Sequence, residues 1–126
     1  MLAIVEAVGI VNIHIAKDLN NLTQWQEVHK VETNSLGCTC LSWNPAFDEP
    51  QIFIVGCNAS GKSAQAQENQ AQENEDSLLQ IYYKKTNQSN FTLYSNKFNN
   101  GHKMTINDVA WAPLVGRSFH MVASCS

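Results

Sequence analysis

Two parts of this chain match each other without a gap when the sequence is slid by 68 positions (111 − 43), so that Trp43 falls on Trp111. Pro45 then meets Pro113, Ile54 meets Val122, Val55 meets Ala123, Gly56 meets Ser124 and Cys57 meets Cys125. The same shift lays Gly9–Ile15 on Ser77–Tyr83, with Ile10 on Leu78, Val11 on Leu79 and Ile13 on Ile81. A repeat of this kind constrains the fold more than composition does. Each unit is too small to bury its own apolar faces, so neighbouring units must stack on one another. The shared pattern is an apolar run ending in Trp, then x-Pro, a connection, and a second apolar run ending in a small residue.

The apolar runs are short: Met1–Val5, Gly9–Ile15, Cys38–Trp43, Gln51–Val55, Leu78–Tyr83, Phe91–Tyr94, Met104–Trp111 and Phe119–Ala123. They are rich in Ile, Val, Thr, Tyr and Phe and have strand length, which few helices do. Turn formers separate them, including Asn44-Pro45, Glu49-Pro50, Asn99-Asn100-Gly101 and Ala112-Pro113. The reading is all-β. Asp18–Trp25 is expected to form a short helical turn or a loop.

One segment breaks the pattern. Ala64–Asp76 contains Gln-Ala-Gln-Glu-Asn twice and no large apolar residue. Having nothing to bury, it cannot offset the entropy of being ordered, which predicts a mobile acidic insertion over 58–76. Removing those 19 residues shortens the 68-residue period to 49 (68 − 19). That is close to the roughly 40–50 residues of a four-stranded β-propeller blade. The expected layout is the last strands of one blade over 1–15. A connection and one complete blade follow over 16–95, and 96–126 holds the first strands of the next. In such an array both faces of Ile52–Val55 can be apolar, because a blade stacks on each side.

Composition excludes other classes. With 8 Lys+Arg against 11 Asp+Glu and a net charge of −3, the chain has no basic stripe for nucleic acid. No apolar run reaches the ~18–20 residues of a membrane span. Met1–Val5 lacks the basic flank of a signal peptide. Cys38, Cys40, Cys57 and Cys125 therefore read as reduced thiols, three of them in apolar strands where Cys acts as a small hydrophobe. Cys38 and Cys40, two apart on a strand, should point to one face. No second close pair completes a zinc site, so no metal is expected.

Gly56-Cys57-Asn58-Ala59-Ser60-Gly61-Lys62-Ser63 fits GxxxxGK[ST] in full. In a nucleotide-binding loop the backbone would cradle phosphate, Lys62 would reach it and Ser63 would hold Mg²⁺. The context disagrees. The segment after it has no apolar stripe to pack on a sheet, no later strand ends in an Asp for the metal, and β and α segments do not alternate. Gly56, Gly61, Lys62 and Ser63 thus read as a chance match, and no cofactor or catalytic residue is expected. Trp43 and Trp111 are expected to pack between adjacent blades, with Pro45 and Pro113 ending the strands because Pro cannot donate to a ladder.

The repeat resembles the WD-repeat class in degenerate form, with Ile13-His14 and Ile81-Tyr82 where Trp-Asp would stand. It is most similar to the Seh-type WD-repeat nucleoporins, relatives of the Sec-thirteen coat proteins. The likeness runs through Met1-Leu2-Ala3 and Gly9–Ile13, Asp18–Trp25, Cys38–Pro45, Asn107–Pro113 and Gly116-Arg117-Ser118-Phe119-His120. Glu6-Ala7-Val8 departs from the family's polar turn, and the Gln/Glu/Asn insertion is additional. The resemblance implies a non-enzymatic scaffold of the nuclear pore, an incomplete propeller that an α-solenoid nucleoporin closes by donating strands. It also implies a second setting, a lysosome-associated nutrient-signalling complex. The alternatives are a Sec-thirteen-like coat propeller and a small nucleotide-binding protein using Gly56–Ser63. Read as a slice of a ring that needs about four blades or more, the chain would be marginal and aggregation-prone as a free monomer.

Overall fold

A computed structural model describes residues 1–34, 36–46, 48–59, 77–95, 98 and 102–126. The described residues form nine strands and no helix: β1 (Leu2–Glu6), β2 (Ile10–Asp18), β3 (Asn21–Glu32), β4 (Cys38–Trp43), β5 (Gln51–Cys57), β6 (Leu79–Lys84), β7 (Thr92–Ser95), β8 (Asp108–Trp111) and β9 (Val122–Cys125). They make three antiparallel sheets in chain order, β1-β2-β3, β4-β5-β6-β7 and β8-β9. The middle sheet is a complete four-stranded meander, and the others stack on its two sides as propeller blades do.

The residues explain the stacking. Along β5, Phe53, Val55 and Cys57 join a buried cluster with Val11, Ile13, Val31, Cys38, Tyr82 and Phe91, between the first and middle sheets. Ile54 lies in a second cluster with Leu79, Ile106, Val109 and Trp111, between the middle and last sheets. Side chains alternate along a strand, so the apolar run Ile52–Val55 of β5 requires a partner on each face. Phe53 is fully buried and Ile54 1% exposed. At roughly 1.5–3 kcal/mol for each fully buried large apolar side chain, these two clusters dominate the stability.

The repeat holds in detail on two strands. Val11 and Ile13 of β2 pack toward the middle sheet, as Leu79 and Ile81 of β6 pack toward the last. Leu41 and Trp43 of β4 face back toward the first sheet, as Val109 and Trp111 of β8 face the middle one.

Three expectations need correction. Asn21–Glu32 is a strand, and Asp18–Trp25 is neither helical turn nor connecting loop. Ala16 pairs with Trp25 and Asp18 with Asn21, while the Asp18 carboxylate accepts the Asn20 amide at 2.8 Å. Asp18–Asn21 is thus a tight hairpin turn of the Asx kind, and the first sheet runs on to Glu32 rather than ending at Ile15.

Second, Cys38 and Cys40 point to opposite faces: Cys38 sits in the first cluster and Cys40 packs on the second. A β-bulge between them shifts the pairing, and a one-residue shift inverts the facing of every later residue on the strand.

Third, the gapless match fails on the second strand. Trp43 pairs with Phe53, but Trp111 pairs with Val122. The equivalent of Phe53 is therefore Val122, one position beyond the gapless partner Met121. Cys125 then occupies the place of Gly56, because the β8–β9 connection is one residue longer.

The turn at 7–9 closes despite its unusual Glu6-Ala7-Val8. The Gly9 amide donates to Glu6 O at 3.0 Å, and Asn12 Nδ2 donates to the Glu6 carboxylate. Apart from Asn58 and Ala59, the insertion expected over 58–76 lies outside the described residues.

Candidate interaction surface

The elements meet at two joints built from backbone as much as from side chains. At the first, Gly9 and Gly37 adopt φ of 83° and 93°, the left-handed region that favours glycine. A Cβ on Gly9 would stand 2.0 Å from Asn34 O, and one on Gly37 would stand 2.0 Å from Ala7 O. The β1–β2 turn and the segment before β4 thus touch backbone to backbone. Thr33 fastens them, its amide and hydroxyl both donating to Gly9 O at 2.9 and 2.8 Å.

Beyond the glycines lies an aromatic group. Phe53 stacks on Tyr82 at 5.4 Å and meets Trp43 edge-on at 5.2 Å, with Phe91 and then His29 alongside. Lys84 Nζ lies 2.9 Å from His29 Nε2. Burial, and then the Lys84 charge, hold the His29 pKa below its usual value. The neutral ring accepts from the ammonium across the joint. Burial pushes the Tyr82 phenol up; its hydroxyl donates to Gln80 Oε1 at 2.9 Å.

At the second joint the inner strands β4 and β8 lie side by side. The Trp111 amide donates to Ser42 Oγ at 2.9 Å. The Thr39 hydroxyl lies 2.5 Å from Ile106 O and 3.2 Å from Gly56 O. Gly56 is there because nothing larger fits: a Cβ would stand 2.6 Å from both Cys40 Sγ and Ile106 Cγ2. Trp111 is 9% exposed. Its indole N–H donates to His120 Nδ1 at 3.4 Å, and His120 Nε2 lies 3.2 Å from Glu49. This chain of groups ties β8 and the approach to β9 onto the β4–β5 connection. His120 itself stands just ahead of β9.

Trp43 and Trp111 end β4 and β8, and exposed Pro45 and Pro113 follow each strand. Gly56 lies within β5, paired through both neighbouring strands, and not at a free loop poised around phosphate. Gly61, Lys62 and Ser63 lie outside the described residues. Among the described residues no group of three or more His, Cys, Asp or Glu could hold a metal ion.

Sequence reasoning missed Gly9, Gly37, Ser42 and Thr39 as joint residues. The two glycines flank apolar runs, which is the one signal that could have marked them.

Two features of the surface suit a partner. Among the described residues β3 and β7 are the outermost strands of their sheets, where a further strand can add. A groove of about 470 Å³ opens between the middle and last sheets, lined by Ile52, Ile81, Tyr83, Tyr94, Trp111 and Val122 among others. Val122 stands there in the register place that Phe53 holds at the first joint.

The chain resembles known proteins along almost all of these elements. Human Nucleoporin SEH1 is 34% identical over 125 residues, a match that covers 98% of this chain. The Danio rerio Nucleoporin SEH1 is 32% identical over 127 residues, and that of Xenopus tropicalis 30% over 123 residues. The chain spans only 31% of the human protein's length. No family model matches it. With that similarity running in order through three stacked antiparallel sheets, these 126 residues match about a third of a Seh-type nucleoporin and fold as stacked propeller blades.

Proposed function

We propose that this chain serves as a non-enzymatic scaffold module of the nuclear pore complex, at the nuclear envelope, and binds protein rather than substrate. The observation that carries this reading is the 30–34% identity to proteins named Nucleoporin SEH1 over 98% of the chain. The geometry supports it. Polar groups here join strands to strands, as in the Trp111–His120–Glu49 chain, and the apolar groove beside Trp111 is suited to packing protein. The partner we propose is an α-solenoid nucleoporin that completes the propeller with a donated strand. A second setting, the lysosome-associated nutrient-signalling complex, comes from the same family reading.

The test is affinity purification of the tagged chain from cells, with partners identified by mass spectrometry. The expected result is near-stoichiometric recovery of a helical-solenoid nucleoporin. Recovery of vesicle-coat subunits in its place would favour a Sec-thirteen-like role. Saturable Mg-dependent ATP binding lost in Lys62→Ala would overturn the non-enzymatic reading.

A further inference from the structure

Cys38 and Cys57 face each other across β4 and β5, with their sulfurs 3.6 Å apart. The Asn58 amide donates to Gly37 O at 3.0 Å, which makes 37/58 a hydrogen-bonded pair and 38/57 the adjoining non-hydrogen-bonded one. In such pairs the Cα atoms are about 4.5 Å apart and the side chains approach most closely. That spacing falls inside the ~4.4–6.8 Å that a disulfide spans. The β-bulge at Cys38 supplies the placement, since it turns Cys38 toward Cys57 and sends Cys40 to the other face.

We propose that Cys38 and Cys57 form a modification site that hydrogen peroxide oxidises to a cross-strand disulfide. Cys38 is the attacking group, because the Cys57 thiol can donate to its sulfur across 3.6 Å and, once Cys38 ionises, the Thr33 hydroxyl 2.7 Å away can turn to it from Gly9 O. The Cys57 hydrogen bond, then those of Thr33 and the Asn34 backbone, hold its pKa down at about 7 against burial. Donation to Cys38 and burial push Cys57 up. The Cys38 thiolate attacks one peroxide oxygen and the O–O bond breaks. The departing hydroxide takes a proton to become water, leaving Cys38 as a sulfenic acid. The Cys57 sulfur then attacks Cys38 Sγ, the S–OH bond breaks, and a second water leaves with the Cys57 proton. Two thiols are oxidised by two electrons and one peroxide is reduced to two waters. Cys38 is buried with 5% of its residue surface at solvent, so only a water-sized oxidant suits the site. Closing the bond draws Cys38 Sγ toward Cys57 and away from Thr33, the residue that fastens the first joint at Gly9.

The test uses the full chain carrying Cys125→Ser, which removes the exposed thiol. After peroxide and quenching, the chain is alkylated in guanidinium and cut after Glu49, which separates Cys38 and Cys40 from Cys57. The expected product is the two peptides joined, lighter by two hydrogens, with Cys40 alkylated and the link released by dithiothreitol. The same treatment of guanidinium-unfolded chain should give a mixture of pairings. The proposal fails if Cys38 and Cys57 are both alkylated after peroxide, if Cys38 ends as a sulfinic acid, or if the 38–57 share does not exceed that of the unfolded chain.

Discussion

Gly9 and Gly37 lock the first joint by what they lack. Each combines a positive φ with a carbonyl oxygen standing 2.0 Å from where a Cβ would be. Gly116 has a positive φ too, yet open space around it. Gly37→Ala should therefore lower unfolding stability by more than the ~1–3 kcal/mol of left-handed strain alone. Gly116→Ala should stay within that strain, and chemical denaturation compares the two. Trp111→Ala removes a ring buried against Ile54, Leu79, Ile106 and Val109. The expected loss is about 3–5 kcal/mol, and a loss below about 1 kcal/mol would mean that the ring is exposed. His29 carries a pH prediction. Its folded pKa is below the unfolded value, so below about 6.5 the unfolded chain binds more protons. The contribution of His29 is fully present above that pH and is lost as pH falls through the folded pKa. Denaturation midpoints should fall on acidification, and less steeply in His29→Gln.

At the scale of elements, the joint between β4, β5 and the approach to β8 rests on Thr39, whose hydroxyl serves both Gly56 O and Ile106 O. Thr39→Val keeps the shape and removes the bond, so it should lower stability by about 0.5–1.5 kcal/mol. An unchanged midpoint would remove Thr39 from the joint. Each apolar run in the sequence overlaps a strand, since alternation and turn residues report burial directly. β3 escaped because Asn21–Glu27 is exposed throughout and only its far end, at Val28 and Val31, reaches the core. The opposite facing of Cys38 and Cys40, and the one-residue offset of β9, escaped for a different reason. A bulge and a longer connection both depend on pairing geometry, which spacing does not encode. The repeat lays Trp43 on Trp111, and the rings pack on the first and second clusters respectively. The joint residues were not legible, because Gly9, Gly37, Ser42 and Thr39 act through backbone or one hydroxyl.

For the molecule as a whole, two joints meet on the middle sheet. The first joint is filled by Phe53, Tyr82, Phe91 and Trp43, whereas the second leaves a groove beside Trp111. The middle sheet bears on both, and β5 is its centre, hydrogen-bonded to β4 and β6 and buried on both faces. That arrangement is what makes a 126-residue repeat chain a stack of blades. Native-state hydrogen exchange reads it directly, because protection tracks how cooperatively each segment is held. The amides of Phe53–Val55 should exchange slowest of all. Those of Leu22–Trp25, on the exposed end of β3, should exchange fastest among the strands. If Phe53–Val55 exchanged as quickly as Leu22–Trp25, β5 would not be the shared core of two joints, and the stacked-blade account would be wrong.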